Sequence, residues 1–237
     1  MALPYGALIV LSTREVSADE APANPWFSWQ YVEDNSADLQ RYLQQHIILT
    51  VESVVIAMLI AFPLALLAFR YRWLVTPLLG ATGILYTIPS LALFAFIYPF
   101  TGLKPTTVVV GLVIYALLVL VRNTLAGLDG VPDDVREAAR GMGYGRARML
   151  WNVEIPVALP TIMAGVRVAT VSTVALVTVG VIVGEGGLGQ LIFRGFNSDY
   201  HAEIMTASLL TIALGLTLDL LLALTTRLLM PWSRSRS

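Results

Sequence analysis

A glycine run is the first pattern in this sequence whose spacing could do chemistry. Gly184, Gly186 and Gly189 follow the G-x-G-x-x-G spacing that binds dinucleotide phosphates at the start of a helix. That site needs a strand before the glycines and a βαβ unit around them, whereas this run follows a long apolar segment. We therefore interpret these glycines, together with Gly187, as backbone that folds back near the outer mouth of a membrane cavity. A flexible connection between helices is the alternative.

The residue types needed for catalysis or metal binding are scarce. The chain has no cysteine, and His46 and His201 are too few for a metal site built from histidines. No cluster of acids, histidines or nucleophiles indicates a membrane enzyme, and no G-x-x-x-x-G-K-[ST] phosphate loop is present for ATP. We expect no catalytic residue, metal or cofactor on this chain. Its formal net charge of −1 offers no basic surface for nucleic acid.

Arg167 and Asp219 are charged residues inside long apolar segments. Counted at 1.5 Å per helical residue from the inner ends of their segments, their depths agree to within about 3 Å. Because charge inside a membrane is costly unless it faces protein or water, we expect the two to form an ion pair. We interpret the pair first as structural and second as a gating element. Glu52 lies near the outer end of the first apolar segment, where exposure to water explains it.

The charged connection at residues 128–156 separates the third and fourth apolar segments and is typical of a short helix, a glycine turn and a second short helix. Apolar positions of the first helix recur at spacings of three, four and seven and thus share one face: Val135, Ala138, Ala139 and Met142. Three glycines can end that helix: Gly141, Gly143 and Gly145. The apolar face must pack on the chain's own membrane domain, on lipid headgroups or in a groove of a partner protein.

The same connection resembles a family signature. Glu137-Ala138-Ala139, three residues, Gly143, nine residues and then Val153-Glu154-Ile155-Pro156 are similar to the EAA signature of bacterial ABC importer permeases. The family pattern ends in I-x-L-P, so Val153 replaces isoleucine and Ile155 replaces leucine, while the spacing is kept throughout. The resemblance implies an all-α integral membrane protein with a five-helix type I ABC permease core and a cytoplasmic coupling helix.

The resemblance also implies the partners of the chain. Residues 137–143 would form the coupling helix, which docks in a cleft of a cytoplasmic ATPase. The implied ATPase-coupling residues are Glu137, Ala138, Ala139, Met142, Gly143, Ile155 and Pro156. An ABC ATPase dimer would bind the ATP and Mg, a second permease subunit, identical or related, would complete the pathway, and an extracytoplasmic substrate-binding protein would deliver the substrate.

Membrane helices are the elements that must position these residues. With 57% hydrophobic and 13% charged residues, the 237-residue chain has too few polar side chains to cover a soluble domain. A spanning helix needs about 20 mainly apolar residues, and five segments qualify: 47–69, 74–100, 106–125, 157–183 and 204–230. We expect kinks at Pro63 and Pro89, and the second segment could be a broken helix.

Basic residues set the expected orientation in a bacterial inner membrane. One side holds Arg70, Arg72, Arg122, Arg136, Arg140, Arg146, Arg148, Arg227, Arg234 and Arg236. The other holds only Arg14, Arg41, Lys104 and Arg194. This asymmetry predicts that the N-terminus lies outside and the C-terminus in the cytoplasm. We divide the chain into an extracytoplasmic tail at 1–45, a permease domain at 46–231 and a cytoplasmic tail at 232–237. An aromatic anchor at the outer interface would comprise Trp26, Phe27, Trp29 and Tyr31, and the alternative is a poorly ordered tail ahead of a short surface helix.

Two further segments bear on the substrate. Residues 184–189 resemble the G-x-G-G-L-G segment of permeases for quaternary amines and for methionine, and residues 84–92 resemble the second-helix segment of the glycine betaine, carnitine and choline group. The resemblance implies a compatible solute, with methionine or another amino acid as the alternative. A secondary transporter that needs no ATP is the alternative from a different class, and it would leave the apolar face at 135–142 unexplained. We assign no substrate site on this chain.

Overall fold

The computed structural model describes residues 24–230, and every regular element in that range is helical. The helices are α1 (Trp29–Asp34), α2 (Ser36–Arg70), α3 (Val75–Thr87), α4 (Ser90–Thr101), α5 (Pro105–Asp129), α6 (Asp133–Gly141), α7 (Arg146–Met149), α8 (Ile155–Val177), α9 (Gly189–Ser198) and α10 (His201–Leu229). A π-helical turn at Leu150–Glu154 joins α7 to α8, and a 3-10 turn at Thr178–Val183 follows α8. The expectations for residues 1–23 and for the tail at 232–237 lie outside the described residues.

The membrane architecture confirms the predicted all-helical core. Four helical stretches are long and apolar enough to cross a membrane: Ser36–Arg70, Pro105–Asp129, Arg146–Val183 and His201–Leu228. The pair α3 and α4 is bent by 97° at its break and brings the number of spans to five when it is counted as one span. The helix α2 begins at Ser36, well before the predicted residue 47. The prediction missed its first turns because they are polar and hydropathy alone does not detect them. The helix also continues through Pro63 without interruption.

The break between α3 and α4 has a local cause in Pro89. A proline disfavours helical geometry at the residue before it, and Ile88 accordingly has φ −66° and ψ 126°. The hydroxyl of Tyr115 in α5 donates a hydrogen bond to the carbonyl oxygen of Ile88. A carbonyl near the break is therefore satisfied within the protein, which is what the apolar interior of a membrane requires.

Small residues let the central helices α2, α5 and α8 approach one another closely. The buried face of α2 carries Ala57, Ala61, Ala65 and Ala68, none more than 1% exposed. Where α5 crosses α8, a Cβ placed on Gly127 would lie 2.9 Å from the carbonyl oxygen of Ala158. Because hydrophobic burial offers little driving force between helices in lipid, such close van der Waals packing stabilises the bundle.

Candidate functional site

The connection between α5 and α8 folds into a hairpin with two helical arms. The first arm is α6, and the second begins at Arg146 and continues through α7 and the π-helical turn into α8. Residues Arg146–Val183 form one uninterrupted helical stretch, which we call the α8 rod. The second arm of the hairpin is thus the end of a membrane-spanning helix, and a displacement of that arm moves the helix with it.

Of the three glycines that the sequence predicts could end α6, Gly143 is the one that does so. Its φ is +82°, in the left-handed region that favours glycine. The amide of Tyr144 donates to the carbonyl of Ala139 at 3.1 Å, and the amide of Gly143 donates to that of Arg140 at 2.9 Å. These two bonds form a Schellman motif, which satisfies carbonyls that the helix end would otherwise leave unpaired. The glycine of the signature therefore shapes the turn between the two arms.

The predicted apolar face of α6 is divided between the interior and the surface. Ala139 is 2% exposed and Val135 is half-buried, so this edge of the helix packs on the chain itself. Glu137 and Ala138 are exposed, and Met142 is 68% exposed. The described residues therefore leave Glu137, Ala138 and Met142 uncovered, and we call these three residues the exposed α6 surface.

Ile155 and Pro156 lie away from that surface, at the first residues of α8. Proline has no backbone N–H and its ring crowds the carbonyl four residues earlier, so a tight α-helical turn before Pro156 is unfavourable. The wider π-helical turn at Leu150–Glu154 precedes it directly. Ile155 packs against the small core of Leu128, Ala158 and Ile162. These two residues thus fix where the hairpin joins the membrane helix.

An ion pair between the two arms was not predicted from the sequence. Nε of Arg136 on α6 donates to Oε1 of Glu154 on the π-helical turn at 3.0 Å. The two side chains are only 15% and 11% exposed. The arginine also donates to the carbonyl oxygen of Leu128, at the end of α5, at 2.8 Å and to Asp133 at 3.1 Å. The only feature of the sequence that could have indicated this pair is the presence of opposite charges on the two arms. Which charges meet is decided when the hairpin folds.

Arg167 and Asp219 are brought together between α8 and α10. Two parallel hydrogen bonds join them, Nε to Oδ1 at 2.8 Å and Nη2 to Oδ2 at 2.7 Å. The pair lies in a groove of about 710 Å³ whose other walls are mainly apolar, including Val168, Val171 and Leu216. The side chains of Arg167 and Asp219 are 38% and 33% exposed, so the groove reaches both charges. A two-point pair of this kind is the strong, geometrically specific form of a salt bridge.

The glycine run lies at the opposite end of the α8 rod from the hairpin. Gly184 is exposed, with φ +85°, whereas Gly186, Gly187 and Gly189 are buried. A Cβ on Gly187 would lie 2.7 Å from Cβ of His46 in α2, and one on Gly189 would overlap the carbonyl oxygen of Thr178. The run is therefore closely packed backbone against α2 and the end of α8, and not a loose connection.

His46 fastens this loop, a role that the sequence did not suggest. It is completely buried, its Nδ1 accepts a hydrogen bond from the amide of Leu188 at 3.3 Å, and its Nε2 lies 3.0 Å from the carbonyl oxygen of Val174. Since Nδ1 accepts, the ring proton belongs on Nε2, which then donates to Val174. Gln45 and Glu185 add a side-chain hydrogen bond beside it. A lone histidine directly before an apolar segment carries no pattern that predicts such a contact.

The residues before the first predicted span pack onto the same end of the molecule. Tyr31 and Leu39 join a buried cluster with Leu188, Leu191, Ala202 and Ala207. Burial raises the pKa of Tyr31 to about 12, and the nearby carboxylate of Glu203 adds to the shift. Of the predicted aromatic anchor, Trp26, Phe27 and Trp29 are exposed, while Tyr31 belongs to the packed cluster. The described part of the predicted tail, residues 24–45, is therefore largely helical and includes buried residues.

Comparison with known proteins gives one matching family and several relatives. The family described as binding-protein-dependent transport system inner membrane component matches residues 53–235. The osmoprotectant import permease protein OsmW of Salmonella typhimurium is 38% identical over 81% of this chain and 92% of its own length. The carnitine transport permease protein OpuCB of Listeria monocytogenes is 36% identical over 70% and 77%, respectively. The choline transport system permease protein OpuBB of Bacillus subtilis is 32% identical over 87% and 95%.

Solved structures show the same fold. A chain from an inward facing conformation of the MetNI methionine ABC transporter matches with a TM-score of 0.65 at 22% identity, covering 80% of this chain and 93% of that one. A second crystal form of the same transporter gives 0.64 at 21% identity. At such identities the likeness concerns the arrangement of the helices and does not extend to the substrate.

Proposed function

The chain belongs to the family of binding-protein-dependent transport system inner membrane components, and from this premise we propose that it is the permease subunit of an ATP-driven osmoprotectant importer. It is a multi-pass membrane protein with a transport role. The proposed substrate is glycine betaine, choline, carnitine or a related quaternary amine. Relatives named as osmoprotectant, carnitine and choline permeases support this choice. Methionine is favoured less, because its support is a likeness of fold at 22% identity.

The exposed α6 surface carries the proposal that an ATPase on another chain drives transport. Met142 is a large apolar side chain that is left uncovered at the tip of a charged hairpin, beside Ala138 and Glu137. A helix in this position fits a groove of a partner protein, since its own domain already covers the opposite edge. The sequence has no phosphate loop of its own. ATP and Mg are therefore assigned to the partner ATPase, and no cofactor to this chain.

The proposed assembly is two permease subunits, an ATPase dimer and an extracytoplasmic substrate-binding protein. The chain would lie in a bacterial inner membrane with the hairpin in the cytoplasm, the N-terminus outside and the C-terminus inside. The cluster of Arg136, Arg140, Arg146 and Arg148 on the hairpin supports this orientation by the positive-inside rule.

The α8 rod is the lever in the proposed mechanism. Closure of the ATPase dimer on ATP displaces α6, and the hairpin passes this movement to the inner end of the rod. The middle of α8 holds Arg167 against α10, and near its outer end the carbonyl of Val174 binds His46, which in turn accepts from the amide of Leu188 in the glycine run. A tilt of this one helix therefore acts on the groove and on the outer loop together, as alternation between inward-facing and outward-facing states requires.

Two substitutions on the hairpin test the assignment. Glu137→Lys reverses a charge on the exposed α6 surface, and Gly143→Asp places a side chain where φ is +82°. We expect both variants to fold and to lose ATP-driven uptake of radiolabelled glycine betaine by about tenfold or more, the effect of about 1.4 kcal/mol at a docking contact. Wild-type uptake by both variants would contradict the role of the hairpin. ATP-independent uptake by this chain alone would support a secondary transporter instead.

Competition experiments test the substrate. The reconstituted permease, ATPase and binding protein should take up labelled glycine betaine, and unlabelled choline or carnitine should reduce that uptake. Inhibition by methionine, with none by the quaternary amines, would replace the osmoprotectant proposal with an amino-acid importer while leaving the permease assignment intact.

A further inference from the structure

One side chain, Arg136, ties α6 to two other elements. Its Nε donates to Glu154 on the α8 rod at 3.0 Å, and its Nη2 donates to the carbonyl of Leu128 at the end of α5 at 2.8 Å. The remaining nitrogen, Nη1, donates to Asp133 on α6 itself at 3.1 Å. Each nitrogen of the guanidinium thus has its own acceptor, on three different elements, and the rigid fork of arginine holds all three at once.

The covalent path between the arms is poorly suited to carrying force. It runs through residues 142–145, which include Gly143 and Gly145 and have no α-helical geometry. Arg136 and Glu154 join the arms at the end remote from this turn, close to where α8 begins. A load on α6 therefore reaches the rod most directly through this ion pair and not through the glycine turn.

The two bonds that Arg136 makes outside α6 differ in strength. The bond to Glu154 joins two charges that are mostly shielded from water, whereas the bond to Leu128 is accepted by a neutral carbonyl. Both bonds have a cationic donor and are therefore charge-assisted, but only the bond to Glu154 also gains the attraction between opposite charges. Separation of Arg136 from Glu154 would also leave a mostly buried carboxylate without its partner.

We propose that Arg136 is the positioning residue that makes α6 and the α8 rod move as one body. Its link to Glu154 persists through the transport cycle, while its link to the Leu128 carbonyl gives way when the hairpin shifts relative to α5. This inference rests on the proposed function, because it assumes that an ATPase moves α6. It assigns the transmission step to a side-chain pair that lies behind the docking surface.

Neutral variants of the pair provide the first test, with the assembled transporter in proteoliposomes. We expect Arg136→Gln and Glu154→Gln each to lower the glycine betaine transported per ATP hydrolysed by about tenfold, as expected for the loss of a hydrogen bond between charged groups. The ATPase should remain bound, because neither residue belongs to the exposed α6 surface. Arg136→Lys keeps the positive charge opposite Glu154, so this variant should retain most of the wild-type transport per ATP hydrolysed.

Arg72→Gln is the matched control. Arg72 forms an ion pair of 2.6 Å with Asp129 near the hairpin, but the pair is largely exposed and does not involve α6. Surface pairs of this kind contribute little. Its removal should change the transport per ATP by less than about twofold, even though the variant loses the same charge.

A reversible cross-link separates transmission from a merely structural role. The chain has no cysteine, so Arg136→Cys combined with Glu154→Cys gives a unique pair of thiols. We expect the double variant to be uncoupled, to regain coupling when a short, reducible bifunctional thiol reagent joins the arms, and to lose it again on reduction. Because both charged groups are replaced, no unpaired buried charge remains to prevent folding.

Each outcome decides a separate question. A wild-type ratio of transport to hydrolysis in both glutamine variants, with the ATPase bound, would overturn the inference and leave the proposed function standing. Failure of the unmodified chain to bind any ATPase would overturn the proposed function itself. If the glutamine variants do not fold, the double-cysteine protein decides, and an equal ratio in its cross-linked and reduced forms would refute transmission through this pair.

Discussion

Gly143 and Gly145 lie two positions apart in the turn of the hairpin, yet their backbones differ. Gly143 has φ +82° and closes the Schellman motif of α6, whereas Gly145 has φ −70° in ordinary extended geometry. Neither position is crowded, since a Cβ would meet no other atom within 4 Å at either one. The difference between them is therefore purely one of backbone conformation, which substitution by alanine isolates.

We predict that Gly143→Ala impairs coupling and that Gly145→Ala does not. Alanine in the left-handed region costs about 1 kcal/mol. In Gly143→Ala the equilibrium constant for forming the native turn should therefore fall roughly fivefold. The measurement is transport per ATP hydrolysed in proteoliposomes, with Gly145→Ala as the control. Equal behaviour of the two variants would mean that the geometry of the turn is not needed for coupling.

Arg167 and Asp219 lend themselves to a double-variant test. We predict that Asp219→Ala lowers the yield of monodisperse protein, because it leaves the charge of Arg167 unpaired within the membrane. Adding Arg167→Ala should then cause no further loss, since the second change removes the stranded charge. Size-exclusion chromatography in mild detergent measures the yield. Additive losses from the two substitutions would show that the ion pair is not the reason for their effects.

At the scale of elements, the loop at 184–189 depends on space as well as on backbone conformation. Gly184 and Gly187 both have positive φ, at +85° and +51°. A Cβ on Gly184 would meet nothing within 4 Å, but one on Gly187 would lie 2.8 Å from Cα of His46. The loop can therefore lie against α2 only where position 187 has no side chain.

We predict that Gly187→Ala destabilises the folded protein more than Gly184→Ala. Both variants bear the cost of a left-handed alanine, about 1 kcal/mol, but only the first must also push the loop away from His46. Overpacking of this kind costs a further 1–3 kcal/mol or so. Thermal unfolding in detergent compares the two variants. Equal melting temperatures would indicate that the loop can shift away from α2 without cost.

The helix α6 shows why an element can be predicted when its environment is not. The helical period places Val135, Ala138, Ala139 and Met142 on one face. Only the folded hairpin shows that Ala139 is covered and that Met142 is left at the surface. Which residues share the apolar face is set by the helical period. Which of them are covered depends on how α6 packs against the α8 rod.

At the scale of the whole molecule, the proposed orientation places the hairpin and α9 on opposite sides of the membrane. Asp134 on the hairpin and Asn197 on α9 are both exposed. The chain has no native cysteine, so a single cysteine at either position is the only thiol of the purified protein that can carry the label.

We predict that Asn197→Cys reacts with a membrane-impermeant maleimide in spheroplasts, whereas Asp134→Cys reacts only after the membrane is permeabilised. Both variants retain the arginines from which the orientation is predicted. Labelling of Asp134→Cys before permeabilisation would invert the proposed topology and remove the hairpin from any cytoplasmic ATPase.

The sequence by itself determined the membrane architecture and the family. Hydropathy over about 20 residues locates a span, and the spacing from Glu137 to Pro156 carries the permease signature, because both depend on neighbours along the chain. The predicted orientation likewise rests on a count of basic residues. These properties can be read from the sequence because the free energies behind them are local or additive.

Only the tertiary structure decided which side chains hold the moving parts together. His46 meets Leu188 across 142 positions of sequence, Arg136 meets Glu154 across 18, and Tyr115 meets Ile88 across 27. Each contact depends on the angle and register at which the helices cross. The hydropathy pattern does not fix these, because many different pairings of side chains are compatible with the same pattern. The polar links that clamp the hairpin and fasten the glycine loop therefore became visible only when the chain was folded.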